Sequence, residues 1–166
     1  HQQKNVVTKD QQLVIDKKTE LLESLKTENK FKKEDVFEAI NKWHDLGKLP
    51  KNSRHLDSKF NKLIDAILDN LSLDKNEVVF LKFKNLLDSY VENNDYKKLD
   101  GEQLFIRKKI DEIVREIQQL ENNIGFISNV SSDNPLVKNV MDQINVLKEK
   151  LELWKSKLDY LRSLDY

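Results

Sequence analysis

Two unbroken seven-residue rhythms occupy the last third of this chain. Ile106, Ile110, Ile113, Ile117, Leu120 and Ile124 alternate spacings of four and three. Val137, Val140, Ile144, Leu147, Leu151, Trp154, Leu158 and Leu161 repeat the pattern. Such spacing keeps a narrow apolar seam on one side of a helix, the pattern of helix packed on helix. Folding back between Ile124 and Val137 would set Ile113 beside Leu147 and Ile106 beside Trp154, with both rhythms in phase throughout. The sequence therefore predicts a long antiparallel coiled-coil hairpin. A parallel coil between two chains is the rival that the same heptads could support.

Composition agrees with an all-α fold. Charged residues make up 35% of the 166 positions, while glycine (3) and proline (2) are scarce. That balance favours long, well-solvated helices. The 29 basic and 29 acidic residues cancel, so bulk charge favours neither nucleic acid nor a membrane surface as partner. Without cysteine there is no disulfide, thiol nucleophile or cysteine zinc site. No apolar run approaches the roughly 18 residues of a membrane span. A cytoplasmic location and no membrane partner are expected. The chain opens on His1, which suggests a fragment or trimmed product.

Glycine and proline divide the rest. Thr8 with Gln11 reads as a capping box opening a helix that runs to about residue 29. A second helix covers roughly Lys33 to Leu46, with Val36, Phe37, Ile40 and Trp43 on one side and Gly47 as its stop. Pro50 forbids immediate resumption. Asn52 or Ser53 is then expected to cap a third helix with Leu56, Phe60, Leu63, Ile64 and Ile67 inward. Asp74 and Glu77 open a fourth, through the β-prone run Val78–Leu81. Asp100 should start the first seam helix and Gly125 end it, and Asn134–Pro135 should launch the second.

One stretch echoes another. Leu21-Leu22-Glu23-Ser24, ending in Asn29-Lys30-Phe31-Lys32-Lys33, returns 65 residues later as Leu86-Leu87-Asp88-Ser89, ending in Asn94-Asp95-Tyr96-Lys97-Lys98. Both read as a helix end, an aromatic plug and a basic step into the next helix. The matched order and spacing point to duplication.

The run Trp43-His44-Asp45-Leu46-Gly47-Lys48-Leu49-Pro50, followed by Leu56 and Phe60, resembles one repeat of a bacterial family of tandem helical units, catalogued as the domain of unknown function number three hundred and forty-nine. Trp43, Gly47, Pro50 and Phe60 sit where that pattern expects them. Asp57 and Phe31 stand where many repeats show tryptophan. The tail, from Phe105 to Ile110 and on through Asp133 to Val137, resembles the C-terminal part of longer members. The resemblance implies a helical repeat region over 8–98, with one full repeat at 16–70 and a degenerate second starting at 71–98. A helical hairpin over 99–166 would close a multi-repeat protein. It brings no activity with it.

The elbow can be read without the family. Gly47 ends a helix in a conformation that other residues resist, Pro50 fixes an extended exit, and Trp43 and Phe60 can clamp the two helices from inside. These four are expected to be structural.

No catalytic residue emerges. His44 and His55 lie on different helices, in no His-x-x-x-His or Glu-x-x-His spacing, and no phosphate loop or nucleophile elbow appears. No enzyme activity, metal or cofactor is expected. One local charge cluster stands out. Lys42, Lys48, Lys51, Arg54, Lys59 and Lys62 oppose only Asp45 and Asp57. His55, Lys59 and Lys62 share a helix stripe, and Lys48, Lys51 and Arg54 surround its start, where free N–H groups favour anions. Two functions follow: a helical scaffold or interaction module with an unidentified protein partner, or an RNA- or DNA-associated accessory protein using residues 42–62. Binding that collapses with salt would favour the second. The heptads leave the oligomeric state open.

Overall fold

The computed structural model describes residues 7–28, 30–126 and 134–166. Among them are six α-helices and no strand: α1 (Lys9–Thr27), α2 (Lys33–Asp45), α3 (His55–Asn70), α4 (Lys75–Glu92), α5 (Tyr96–Phe126) and α6 (Pro135–Ser163). No helix of the described residues is long and apolar enough to cross a membrane. The chain divides into two compact units. One runs to Tyr96 and takes in Tyr166; the other is Lys97–Asp165.

In the first unit the core grows from one stripe per helix. Leu22 and Leu25 of α1, Val36, Ala39, Ile40 and Trp43 of α2, and Leu56, Phe60, Ile64, Ile67 and Leu68 of α3 join Leu81 of α4 in one buried cluster. Thr8 caps α1 through the expected reciprocal pair, its hydroxyl accepting from Gln11 N–H while Gln11 accepts from Thr8 N–H. Asp74 caps α4 by accepting from Asn76 N–H. Glu77 pairs instead with Lys33 of α2. The β-prone run Val78–Leu81 is helical. An apolar face that packs against α2 and α3 outweighs a local strand preference.

Gly47 has φ +105°, and Leu49 beside it is buried. Neither Asn52 nor Ser53 caps α3. They lie in a single 3-10 turn, Lys51–Ser53, whose Ser53 N–H donates to the Pro50 carbonyl. Arg54 takes the N-cap position and makes no side-chain cap bond. The extended exit fixed by Pro50 sets that extra turn before the helix can start.

Asn94 closes α4 with φ +57°. Asp95 N–H reaches the Tyr90 carbonyl and Asn94 N–H the Val91 carbonyl, a Schellman closure with asparagine in the left-handed position. The chain re-enters helix at Tyr96, four residues before the expected Asp100. Gly101 therefore lies inside α5. Gly125 is helical too, and α5 continues to Phe126. The two echoed stretches share their helix endings: α1 stops at Thr27 and α4 at the equivalent Glu92, 65 residues on.

In the second unit Ile113 and Ile117 of α5 and Ile144 of α6 form a buried cluster. Leu120, Ile124, Val140, Leu147, Leu151 and Trp154 pack against it. Asn134 caps α6 by accepting from Leu136 N–H, and Pro135 takes the first helical position. Phe105 meets Trp154 edge-on at 5.8 Å.

Candidate functional site

Three features of the described residues can carry function: the basic residues around the α2–α3 connection, a polar network beside Trp43, and a groove between α5 and α6.

The basic residues read from the sequence lie at the surface. Lys48, Lys51, His55, Lys59 and Lys62 are exposed, and Arg54 is half-buried with its Nε enclosed and without a hydrogen-bond partner. Lys42 pairs with Glu38 at 3.1 Å. Asp57 does not belong to this face. Its side chain turns inward and is buried, so it does not offset the exposed cations.

Between α2 and α3, Trp43 and Phe60 are fully buried and stacked, with ring centroids 4.2 Å apart and planes 5° from parallel. The indole N–H donates to Asp57 Oδ1 at 2.9 Å, and Asn93 Nδ2 donates to Asp57 Oδ2 at 3.1 Å. Asp57 thus ties α2 and α3 to the closing turn of α4. A side chain without acceptor oxygens at this position could not accept those bonds.

A second set of polar groups lies against the same tryptophan. Lys18 of α1 is fully buried, forms an ion pair with Glu92 of α4, and holds its Nζ 4.8 Å from the Trp43 ring centroid. Glu92 also meets His44, whose Nδ1 lies 2.6 Å from Glu92 Oε2. On its other side His44 Nε2 faces Asn85 Oδ1 at 3.2 Å, and Asn85 Nδ2 donates to Asn61 Oδ1 at 2.8 Å. Both imidazole nitrogens therefore face acceptors, an arrangement that only the imidazolium satisfies in full. Burial pulls the His44 pKa down, but the Glu92 carboxylate, Asn85 and the nearby Asp88 together leave it above its ordinary value.

Sequence reasoning missed this network, though one signal for it existed. Lys18 sits on the stripe Ile15, Lys18, Leu22, Leu25 of α1, spaced three, four and three, where an apolar residue would be expected. The network ties α1, α2, α3 and α4 together. Lys18 is fully enclosed, while Asn61 and Asn85 at the far end of the network border a small cavity of about 180 Å³. Among the described residues no three His, Cys, Asp or Glu side chains are placed to hold a metal ion.

The third feature is a groove of about 570 Å³ between α5 and α6. Leu120, Val146 and Leu147 give it an apolar floor, while Glu116 and Asp142 supply the only charges lining it among the described residues. The seam residues predicted to bring the two helices together divide between cluster and surroundings. Ile113, Ile117 and Ile144 are its buried members, with Leu120, Ile124, Val140, Leu147, Leu151 and Trp154 packed around them. Ile106 and Val137 are buried, and Ile110 is half-buried. No family model, curated protein or solved structure matches the chain.

Proposed function

We propose that this chain is a non-enzymatic helical scaffold, an interaction module of a bacterial multi-repeat protein that binds a macromolecular partner. In this reading Trp43, Gly47, Pro50 and Phe60 form the elbow of a helical repeat, and α5 and α6 form an antiparallel coiled-coil hairpin. The observation that carries the reading is what the seam leaves uncovered. Helices of 31 and 29 residues unite along a narrow stripe, while Leu104 (73% exposed), Phe105, Leu136, Met141 and Val146 (54%) stay in solvent. Apolar surface held on long helices suits a partner better than a substrate.

The test is capture of complexes from the native cells with nuclease present, using the parent and a Leu104→Asp, Phe105→Asp, Val146→Asp variant. Complexes that survive high salt and vanish in the variant support the scaffold; complexes unchanged in the variant refute it. Intramolecular disulfide formation between Ile113→Cys and Leu147→Cys in a monomer would support the hairpin. In the parallel coil each position faces its own copy, so bonds between chains joining Ile113→Cys to Ile113→Cys would support that rival instead.

A second reading, RNA or DNA association through the elbow, is favoured by one observation. Among the described residues Lys48, Lys51, Lys59 and Lys62 are exposed and make no ion pair. Each phosphate neutralised would add about −0.9 to the slope of log affinity against log salt on duplex DNA, or about −0.7 on single strands. Lys48→Glu, Lys51→Glu and Lys59→Glu together should abolish such binding without touching the core. Labelled RNA and DNA that stay unbound at micromolar protein and low salt would end this reading.

A further inference from the structure

We propose that the groove between α5 and α6 receives a basic amphipathic helix of a partner protein, an assignment that rests on the scaffold reading above. The floor supplies the first argument. Leu120 and Leu147 are half-buried and Val146 lies open beside them, so an occupant with an apolar stripe would extend the Ile113–Ile117–Ile144 cluster into a three-helix packing.

The banks supply the second. Gln119 and Asn123 on α5, and Asn139 and Gln143 on α6, stand four residues apart along each wall. From Glu116 to Asn123 the α5 wall covers about two helical turns, roughly 10 Å. That length suits a helix laid along the groove with anchors at i, i+3, i+4 and i+7.

Charge selects the occupant. Glu116 and Asp142 line the groove, no lysine or arginine does, and neither carboxylate has an ion pair among the described residues. Lysine or arginine flanking the apolar stripe of the incoming helix would meet both carboxylates and the amide oxygens. A second copy of this chain is a poorer fit. Two-fold pairing through the same groove would bring four like charges together, which disfavours association.

The experiment titrates the whole chain with two labelled synthetic peptides of about eighteen residues that share one leucine stripe. One carries lysine and arginine beside the stripe, the other glutamate, and a scrambled basic peptide controls for charge alone. The basic helix should bind about tenfold or more tightly than the other two. Val146→Asp should weaken it by about tenfold, and Glu116→Lys with Asp142→Lys should reverse the preference. Val146 is exposed, so its replacement leaves the fold intact, which circular dichroism checks.

Equal binding of the basic and scrambled peptides, or indifference to Val146→Asp, overturns the proposal. So does concentration-dependent dimerisation that Val146→Asp removes, because a second copy would then be the occupant. If neither peptide binds while native complexes are still lost on Val146→Asp, the basic-helix assignment falls and the scaffold stands. If the native complexes also ignore the exposed apolar substitutions, both fall.

Discussion

The imidazole of His44 and the carboxylate of Glu92 meet at 2.6 Å, 48 residues apart in sequence, with the ammonium of Lys18 on the other oxygen of the same carboxylate. One acid thus serves two bases drawn from two other helices. The arrangement makes the stability of the four-helix unit depend on pH and on each partner in a defined order.

His44 gives the pH dependence. Its pKa in the folded chain is raised above the ordinary 6.5, so the folded state holds the proton more tightly than the unfolded chain does. The resulting stabilisation is full below about pH 6.5 and is lost as pH rises through the folded value. Urea midpoints measured from mildly acidic to mildly alkaline pH should fall in the parent and fall less in His44→Gln. Identical slopes in the two would remove His44 as the source.

Replacing one partner of the ion pair should separate the roles of Lys18 and Glu92. Glu92→Gln leaves a fully buried ammonium with a neutral amide and the Trp43 ring in place of its counter-charge, and about 3–5 kcal/mol of stability should go. Lys18→Met should cost less, because protonated His44 remains beside the carboxylate. Its cost should grow at alkaline pH, where that proton leaves. Denaturant titration at two pH values checks both the order and the growth.

Trp43 can be tested in two steps. Trp43→Ala removes a fully buried ring stacked on Phe60 and should cost roughly 3–5 kcal/mol. Trp43→Phe keeps most of the packing but deprives Asp57 of its indole donor, for about 1–3 kcal/mol. Wild-type melting of Trp43→Ala would mean that the ring is not part of the core.

Two glycines should respond in opposite directions. At Gly47 a Cβ would find open space apart from ordinary contact with Val14 at 3.9 Å, so any cost comes from the backbone at φ +105°. Gly47→Ala should lose about 1–2 kcal/mol, and Gly47→Val at least as much. Gly101 lies inside α5, and a methyl group added there would meet nothing within 4 Å. Gly101→Ala should therefore gain about 0.5–1 kcal/mol. Thermal melting of the two alanine variants should move apart.

What the sequence determined by itself was local and periodic. The heptads from Ile106 to Leu161 marked two long helices, Thr8, Asp74 and Asn134 marked helix starts, and Gly47 with Pro50 marked the break between α2 and α3. Each signal lies within a few residues of the structure it sets, because capping, turn geometry and an apolar stripe are decided by neighbours along the chain. One boundary slipped for an equally local reason: the left-handed Asn94 closes α4 in so few residues that helix resumes at Tyr96. The polar network was decided only by the tertiary structure. His44, Asp57, Asn85 and Glu92 each look like ordinary surface residues in sequence, and only the place of Lys18 on an apolar stripe hints at burial. Four packed helices took them out of water, and a buried charge or amide must then find its partner wherever the fold brings one within reach.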